Sequence, residues 1–386
     1  MDFPNFLDHG SYRLPPGELA ITLSGGGARA AYQVGVLRGI ARHLPRIRPL
    51  ILTGESAGAM NAAYLAAHPG TFAEGIEELA RVWSDLTVPQ IFRAGPLNLL
   101  RWGTRLISGG AAIAPTARSL LDTAPLRSLL ERTLNAPDGE IVGIAKNLEH
   151  GIMKAIALTT INYTTGQTVT WVQGDKIRDW DRALRRSVAT RLTVDHVLAS
   201  AALPFVFPAV RLGNHWYGDG GVRLHAPLAP AIHLGASRVL AISTRYRPTV
   251  EEAAQPAIHG YPPPAQVVGI LLDAIFLDLV DNDALVLQRL NWLLGKLPRE
   301  EWGNLRPVNL LVLRPSQDLT TLAAGCEAKL PRGLRYMVRG LGAHQTTRPA
   351  LLSLLMFVPE YLEALIRIGE SDAESRLDEI SAFLAD

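Results

Sequence analysis

Along this chain the hydrophobic positions fall into two kinds of pattern that take turns. Short unbroken apolar runs occur at Leu19–Leu23, Pro49–Leu52, Val239–Ser243 and Val308–Leu313. Each is too short for a helix and is bounded by turn-forming residues, so each predicts a buried strand. Apolar residues at helical spacing follow in Ala30–Ile40, the alanine-rich run Ala59–Ala67, Val194–Ala202 (stopped by Pro204) and Ala226–Leu234. Ile152–Thr160 and Gln167–Val172 flank Asn162-Tyr163-Thr164-Thr165-Gly166 and predict a hairpin. Ser119–Leu130 predicts a helix opened by Asp122 or Thr123, with Pro125 in its first turn. Val267–Leu297 reads as a long amphipathic helix or a pair, and the tail from Leu319 to Phe383 as helices broken at Pro331, Pro349 and Pro359.

Twice a strand runs through glycines straight into a helix. Repeated units of that kind predict a three-layer α/β/α fold with a mainly parallel central sheet. Loops at the carboxyl ends of such strands converge on one crevice. The expected organisation is an extension at 1–17, a catalytic domain at 18–245 and a proline-rich loop at 246–264. A mostly helical part at 265–386 packs on the catalytic domain. An insertion at about 82–114 mixes Trp83, Ile91, Phe92, Trp102 and Ile107 with Arg93, Arg101 and Arg105. It suits a helical cap, an apolar lid or a membrane-surface patch.

The second loop is Gly54-Glu55-Ser56-Ala57-Gly58. A serine on a tight strand-to-helix turn sits in strained backbone, and side chains at the flanking glycines would collide with strand and helix. The following helix aims free N–H groups and its positive end at the serine oxygen. The pentapeptide alone is a weak signal; the strand before and helix after make it the setting of a nucleophile elbow. The first loop is Ser24-Gly25-Gly26-Gly27-Ala28-Arg29. Three bare glycines suit either a phosphate cradle or an oxyanion hole. The loop lacks the Gly-Lys-Ser/Thr ending of a phosphate-binding loop and the spacing of a dinucleotide loop. One strand upstream of a serine elbow, it suits the oxyanion role. A third stretch, Tyr217-Gly218-Asp219-Gly220-Gly221, places an aspartate at a strand end. By itself Asp-Gly-Gly is a common turn with the aspartate capping the backbone; beside a serine nucleophile that needs a base, it gains a second reading.

Composition narrows the field. The 386 residues are 48% hydrophobic and 19% charged, with net charge +2. No basic block suggests nucleic acid. Met1–His9 has neither a basic start nor an apolar run, so no secretory signal is expected. No stretch reaches the ~18 apolar residues of a membrane span. The single cysteine, Cys326, fits a reducing compartment and a buried structural role, and the expected location is cytoplasmic, with contact at a membrane surface as a further expectation.

The ordered set of Ser24–Arg29, Gly54–Gly58 and Asp219–Gly221 resembles the patatin-like phospholipase family. Ala199–Val210 and Ser119–Asp122 resemble family segments too, and the likeness covers roughly 18–245. It implies a serine–aspartate dyad hydrolase of fatty acyl esters, needing no cofactor or metal. Ser56 would be the nucleophile and Asp219 its base. The backbone of Gly25, Gly26 and Gly27 would form the oxyanion hole, with Arg29 as positive support, and Gly54 and Gly58 would shape the elbow. Where the family often has aspartate and glycine, this chain has Ser24 and Ala30, which bears on loop shape. An unperturbed aspartate is a weak base, so apolar surroundings are expected to raise its pKa. Weighed against this are a Ser-His-Asp hydrolase using one of His196, His215, His225, His233 or His344, a zinc hydrolase, an acyltransferase with the same dyad, and a silent lipid-binding protein. No histidine sits in a recognisable post-strand loop, and no zinc-ligand spacing is present.

Overall fold

The computed structural model describes residues 18–93 and 119–385, apart from 176, 178, 259, 277–278, 341, 343–345 and 347. Among the described residues ten strands form one sheet. They are β1 (Leu19–Leu23), β2 (Ile51–Glu55), β3 (Ala155–Asn162), β4 (Thr168–Gly174), β5 (Asp181–Arg182), β6 (Arg185–Ala189), β7 (Val210–Leu212), β8 (His215–Asp219), β9 (Arg238–Ile242) and β10 (Asn309–Leu313). The spatial order is β10-β9-β1-β2-β3-β4-β6-β5. From β10 to β3 every pairing is parallel. β4 then runs antiparallel to β3, which makes the expected hairpin. The chain builds outward from β1 through β2 to β3 and later returns to the other side of β1 with β9. That reversal opens a crevice at the carboxyl ends of the central strands.

Alternation along β1 sends its side chains to two cores. Leu19, Ile21 and Leu23 join a cluster with helices α1 (Ala31–His43), α2 (Ala57–Ala67) and α3 (Phe72–Ser84). Ala20 joins another on the opposite face, with Ala231, Val280, Ala284 and Leu287. This is the three-layer arrangement. The helical tail is part of it. The helix Pro359–Ser375 crosses α1 at backbone contact: a Cβ on Gly35 would lie 2.0 Å from the Ile366 carbonyl oxygen, and one on Gly369 2.3 Å from that of Tyr32.

Prolines act as starts as much as stops: Pro125 and Pro359 sit in first turns, where a missing N–H costs nothing. The expected tail breaks fall where helices end and begin. Val267–Leu297 is a pair, Pro264–Phe276 and Leu279–Leu294. The arginine-rich stretch around Arg182, Arg185 and Arg186 forms a strand pair at the sheet edge, with Arg182 and Arg186 exposed. The membrane-surface expectation for the insertion fails for the residues described. Trp83, Ile91 and Phe92 are 2%, 1% and 1% exposed and belong to the core: α3 presents Trp83 inward, where its Nε1 donates to Asn61 Oδ1 at 2.7 Å, and the short helix Val88–Ile91 turns Ile91 and the Phe92 that follows it onto the same core. Arg101, Trp102, Arg105 and Ile107 lie outside the described residues.

Candidate active site

β2 reaches Glu55, and α2 begins at Ala57, so Ser56 must turn the chain alone. It does so at φ 52°, ψ −130°, a conformation that strains any residue with a Cβ. The flanking glycines let the turn close. A Cβ on Gly54 would lie 2.5 Å from the Gly58 carbonyl oxygen, and one on Gly58 2.2 Å from that of Leu23. The strain is held by a neighbour: Ser56 N–H donates to Ser200 Oγ at 3.0 Å, and Ser200 Oγ donates to the Thr159 carbonyl at 2.7 Å.

Asp219 arrives from the opposite direction. β3 pairs with β2 over Ala155–Thr159, the last pair being Glu55 with Thr159. β8 pairs antiparallel with β3 over Thr160–Asn162, its last pair being Asp219 with Thr160. Two strands therefore meet end to end along one side of β3, separated by a single register step. That is how residues 163 positions apart come to share a point. Asp219 is fully buried. Its Oδ1 accepts the Gly221 N–H at 3.0 Å, so the turn-capping reading is also correct. Oδ2 is buried with no hydrogen-bond partner. The Ser56 hydroxyl lies near enough to favour the carboxylate, but Oδ2 is left unengaged, so the two are poised rather than bonded. Burial pushes the Asp219 pKa up to about 7, against smaller lowering effects from Ser56 and the Gly221 N–H. This is the rise expected from apolar surroundings.

The glycine loop closes the third side. Gly25 lies against the serine, where a Cβ would stand 3.0 Å from Ser56 Cβ. Its N–H donates to Glu55 Oε1 at 3.3 Å and its carbonyl accepts from Thr244 Oγ1 at 2.7 Å. Gly26 (φ 153°) and Gly27 (φ 55°) adopt backbone open to glycine. A Cβ there would meet Thr244 Oγ1 at 2.4 Å and the Leu354 carbonyl oxygen at 2.3 Å. Arg29 is 2% exposed and points away from the serine. Nε donates to Ser353 Oγ at 2.7 Å, Nη1 meets Asp273 at 3.2 Å and Nη2 donates to the Ala350 carbonyl at 3.0 Å. A buried polar chain ties the loop to the elbow helix. Gln33 Nε2 donates to the Ser24 carbonyl at 2.7 Å, and Asn61 Nδ2 to Gln33 Oε1 at 3.1 Å. At the departures from the family pattern, Ser24 Oγ donates to the Ile242 carbonyl at 3.2 Å and Ala30 is wholly buried.

Beside Ser56 lies an apolar cavity of about 40 Å³. Gly26 and Gly27 line it along with Met60, Leu203, Phe207 and Phe357. No histidine is among its described lining residues. His196 is packed edge-on to Trp171, and burial lowers its pKa to about 4; His344 lies outside the described residues.

Sequence reasoning named the dyad and the loops but missed three contributors. Ser200 was visible within a family-like segment, with no signal that it would hold Ser56. Glu55 passed as a variable elbow position. The cavity wall at Leu354–Phe357 comes from the tail, which local patterning cannot bring to the serine.

A profile described as patatin-like phospholipase matches residues 21–232. The chain belongs to the patatin-like phospholipase family. No curated protein matches the sequence. Among solved structures, VipD from Legionella pneumophila is similar at 14% identity, with a TM-score of 0.40, over 95% of this chain and 67% of that one. Human GIVD cytosolic phospholipase A2 is similar at 13% identity, with a TM-score of 0.46, over 96% and 60%. The type III effector ExoU, from the ExoU–SpcU complex of Pseudomonas aeruginosa, gives 16% identity, with a TM-score of 0.28, over 88% and 68%. This patatin-like chain thus spans only about 60% of the length of the human phospholipase chain it resembles.

Proposed function

We propose that the protein is a lipid acyl hydrolase of phospholipase A or lysophospholipase type, working through a Ser56–Asp219 dyad and an acyl-enzyme. The observation that carries this reading is the end-to-end meeting of β2 and β8 on β3, which sets an unengaged carboxyl oxygen beside a strained serine. Asp219 takes the hydroxyl proton as Ser56 Oγ attacks the ester carbonyl carbon. The N–H groups of Gly26 and Gly27 hold the oxyanion. The alcohol leaves with the proton from Asp219. Water then attacks the acyl-enzyme, giving a proton to Asp219, which returns it to Ser56 as the fatty acid departs.

Arg29 serves this site as an anchor, its charge matched by Asp273, and fixes the glycine loop to helix Ala350–Leu354. The small apolar cavity favours a hydrocarbon chain, which enters by displacing side chains such as Met60 and Phe357. The described surface best suited to a lipid assembly is the outer face of the helix pair 264–294, where Ile270, Leu271, Val286 and Trp292 are 51–58% exposed. Asp273, the partner of Arg29, sits on the same helix as Ile270 and Leu271.

The decisive experiment pairs fluorophosphonate labelling with a panel of lipid esters. Wild type labels at Ser56 and releases fatty acid. Ser56→Ala and Asp219→Asn lose at least ~10³-fold in kcat/KM. Loss of labelling in His196→Ala with retention in Asp219→Asn would reverse the assignment. Fatty acid captured by an added alcohol in preference to water would make the enzyme an acyltransferase.

A further inference from the structure

We propose that Glu55 is a positioning residue of the dyad: it shares one proton with Asp219 and locks the glycine loop through Gly25, so the pocket holds a single negative charge when Ser56 reacts. This inference rests on the functional reading above for its consequence, though not for its geometry.

The elbow position before the serine usually needs nothing but a side chain that fits. Here it holds a glutamate that is 4% exposed. Glu55 Oε1 accepts the Gly25 N–H, and Oε2 is buried with no hydrogen-bond partner. The register on β3 brings Asp219 one step away, and its Oδ2 is likewise buried and unpartnered. Two buried carboxyls thus lie within reach of each other's charge, each with one oxygen tied to a backbone N–H and one left over.

Among the described residues no cation is among the influences on either group. The influences on Glu55 are burial, then the Asp219 charge, then the Gly25 N–H. Those on Asp219 are burial, the Ser56 hydroxyl and the Gly221 N–H. Tyr163, across Gly218, is the other titratable group that feels Asp219, and burial raises its pKa to about 12, so it stays neutral. Ser200 and Thr244 complete the polar surroundings and carry no charge. Two buried like charges with no counter-ion are far costlier than one. Burial raises the pKa of Glu55 to about 8 and that of Asp219 to about 7. Two donors, the Ser56 hydroxyl and the Gly221 N–H, favour the ionised form of Asp219, against one, the Gly25 N–H, for Glu55, so the proton stays on Glu55.

The consequence follows from charge balance. With the proton on Glu55, Asp219 is the ionised base. It takes the Ser56 proton, both carboxyls are then neutral, and the new negative charge sits on the oxyanion beside Gly26 and Gly27. A second ionisation of the pair would place a charge on Glu55, hydrogen-bonded to the loop that must hold that oxyanion, and would oppose it. The neutral acid also keeps the Gly25 N–H occupied, which leaves Gly26 and Gly27 as donors. Activity is therefore expected to rise as pH passes about 7 and to fall above about 8, a bell from two carboxyls and no histidine.

The test has two arms. The first needs no catalysis: infrared difference spectra of Ser56→Ala protein between pH 6 and pH 9. A buried carboxylic acid band should be lost as pH rises. In Ser56→Ala/Glu55→Gln the part of that loss that falls above about pH 7 should be gone, leaving the Asp219 acid alone to titrate, and in Ser56→Ala/Asp219→Asn the remaining Glu55 loss should move down by about one pH unit or more as the neighbouring charge is removed. The second arm is kcat/KM against pH on a short-chain soluble ester. Glu55→Gln, which can still accept from Gly25, should keep the rising limb and lose the falling one. Glu55→Ala, which frees the loop, should lose about tenfold or more at every pH. An undiminished band loss above about pH 7 in Glu55→Gln, a Glu55 loss that does not move in the Asp219→Asn background, or superimposable wild-type and Glu55→Gln profiles would each overturn the proposal. If the band behaves as stated but no ester is hydrolysed, the shared proton stands and the hydrolase reading falls.

Discussion

Two strand–loop–helix units sit side by side in this protein and do opposite things with the same plan. In the unit from β2 to α2, the loop is a single serine in strained backbone with glycines on either side. In the unit from β1 to α1, the loop is three glycines and no reactive side chain. Both turns are jammed against backbone: Gly58 against Leu23, Gly27 against Leu354. The difference lies in what holds them. The elbow is clamped by Ser200, the last residue of helix Val194–Ser200, spanning Ser56 and Thr159. The glycine loop is clamped by Thr244, just past the end of β9, and by Arg29 reaching the tail at Ser353 and Ala350. In the proposed mechanism the nucleophile must be held rigid relative to its base, and the strands that carry Ser56 and Asp219 both pair with β3. The glycine-loop amides proposed to meet the oxyanion are held by elements drawn from the rest of the chain.

The comparison breaks most completely at the glycine packed between the two units. Gly58→Ala would drive a Cβ to 2.2 Å from Leu23 O and 2.6 Å from Ser24 O, rigid backbone on the glycine-loop side. It should cost on the order of 3 kcal/mol or more, the range of severe core strain. Thermal melting should show a large drop in Tm or no folded protein. A Gly213→Ala control, where φ is 59° but nothing lies within 4 Å, should cost about 1 kcal/mol. Equal losses in the two would mean that packing is not what the elbow glycine serves.

A smaller, more selective break is Ser200→Ala. It leaves the Ser56 N–H and the Thr159 carbonyl buried and unpaired, a penalty of about 1–3 kcal/mol. It also loosens the turn that fixes Ser56. Because even a 1 Å misplacement of a reacting group can cost about 10²-fold, kcat on a soluble ester should fall by roughly tenfold or more with KM little changed. A matched rise in KM with constant kcat would instead make Ser200 a binding residue.

How much of this was legible beforehand differs between the units for a physical reason. The sheet, the order of its early strands and the three motif loops are written in local pattern: apolar runs, glycine turns, helical spacing. Ser56, Asp219 and Gly25–Gly27 could be named because their neighbours in sequence are also their neighbours in backbone geometry. What held them was not legible. Thr244, Ser353, Leu354 and Phe357 lie up to about 330 residues from the glycine loop, and only the crossing of Pro359–Ser375 over α1 brings the tail there. Arg29 shows the same limit: beside the loop in sequence, it suggested a positive support for the oxyanion, yet its guanidinium is spent on Asp273 and the tail. Trp83 and Phe92 show the limit from the other side: their tryptophan-and-arginine texture left a packed cap, a lid and a membrane-surface patch all open, and the structure puts both side chains in the core.

The least effect, and the one that reaches across both units, is on stability against pH. Glu55 extends from the elbow to the Gly25 N–H. Its pKa, like that of Asp219, is raised above the unfolded carboxyl range. A raised carboxyl binds more protons in the folded state, so stability from it is fully present below about pH 4 and is lost as pH climbs through about 7 and 8. The direction is opposite to that of a salt-bridged aspartate. Replacing Glu55 by Gln removes one ionisation without removing the acceptor for Gly25. The variant should therefore gain on wild type as pH rises: little difference in Tm at pH 5, and an advantage of a few degrees at pH 8.5. Both proteins still carry the buried Asp219, so each should lose stability over this window and the gap between them reports Glu55. A gap that stays constant from pH 5 to pH 8.5 would mean that Glu55 is already ionised at pH 5 in the folded protein, so that its pKa is not raised and the two loops are joined by an ordinary carboxylate rather than by a shared proton.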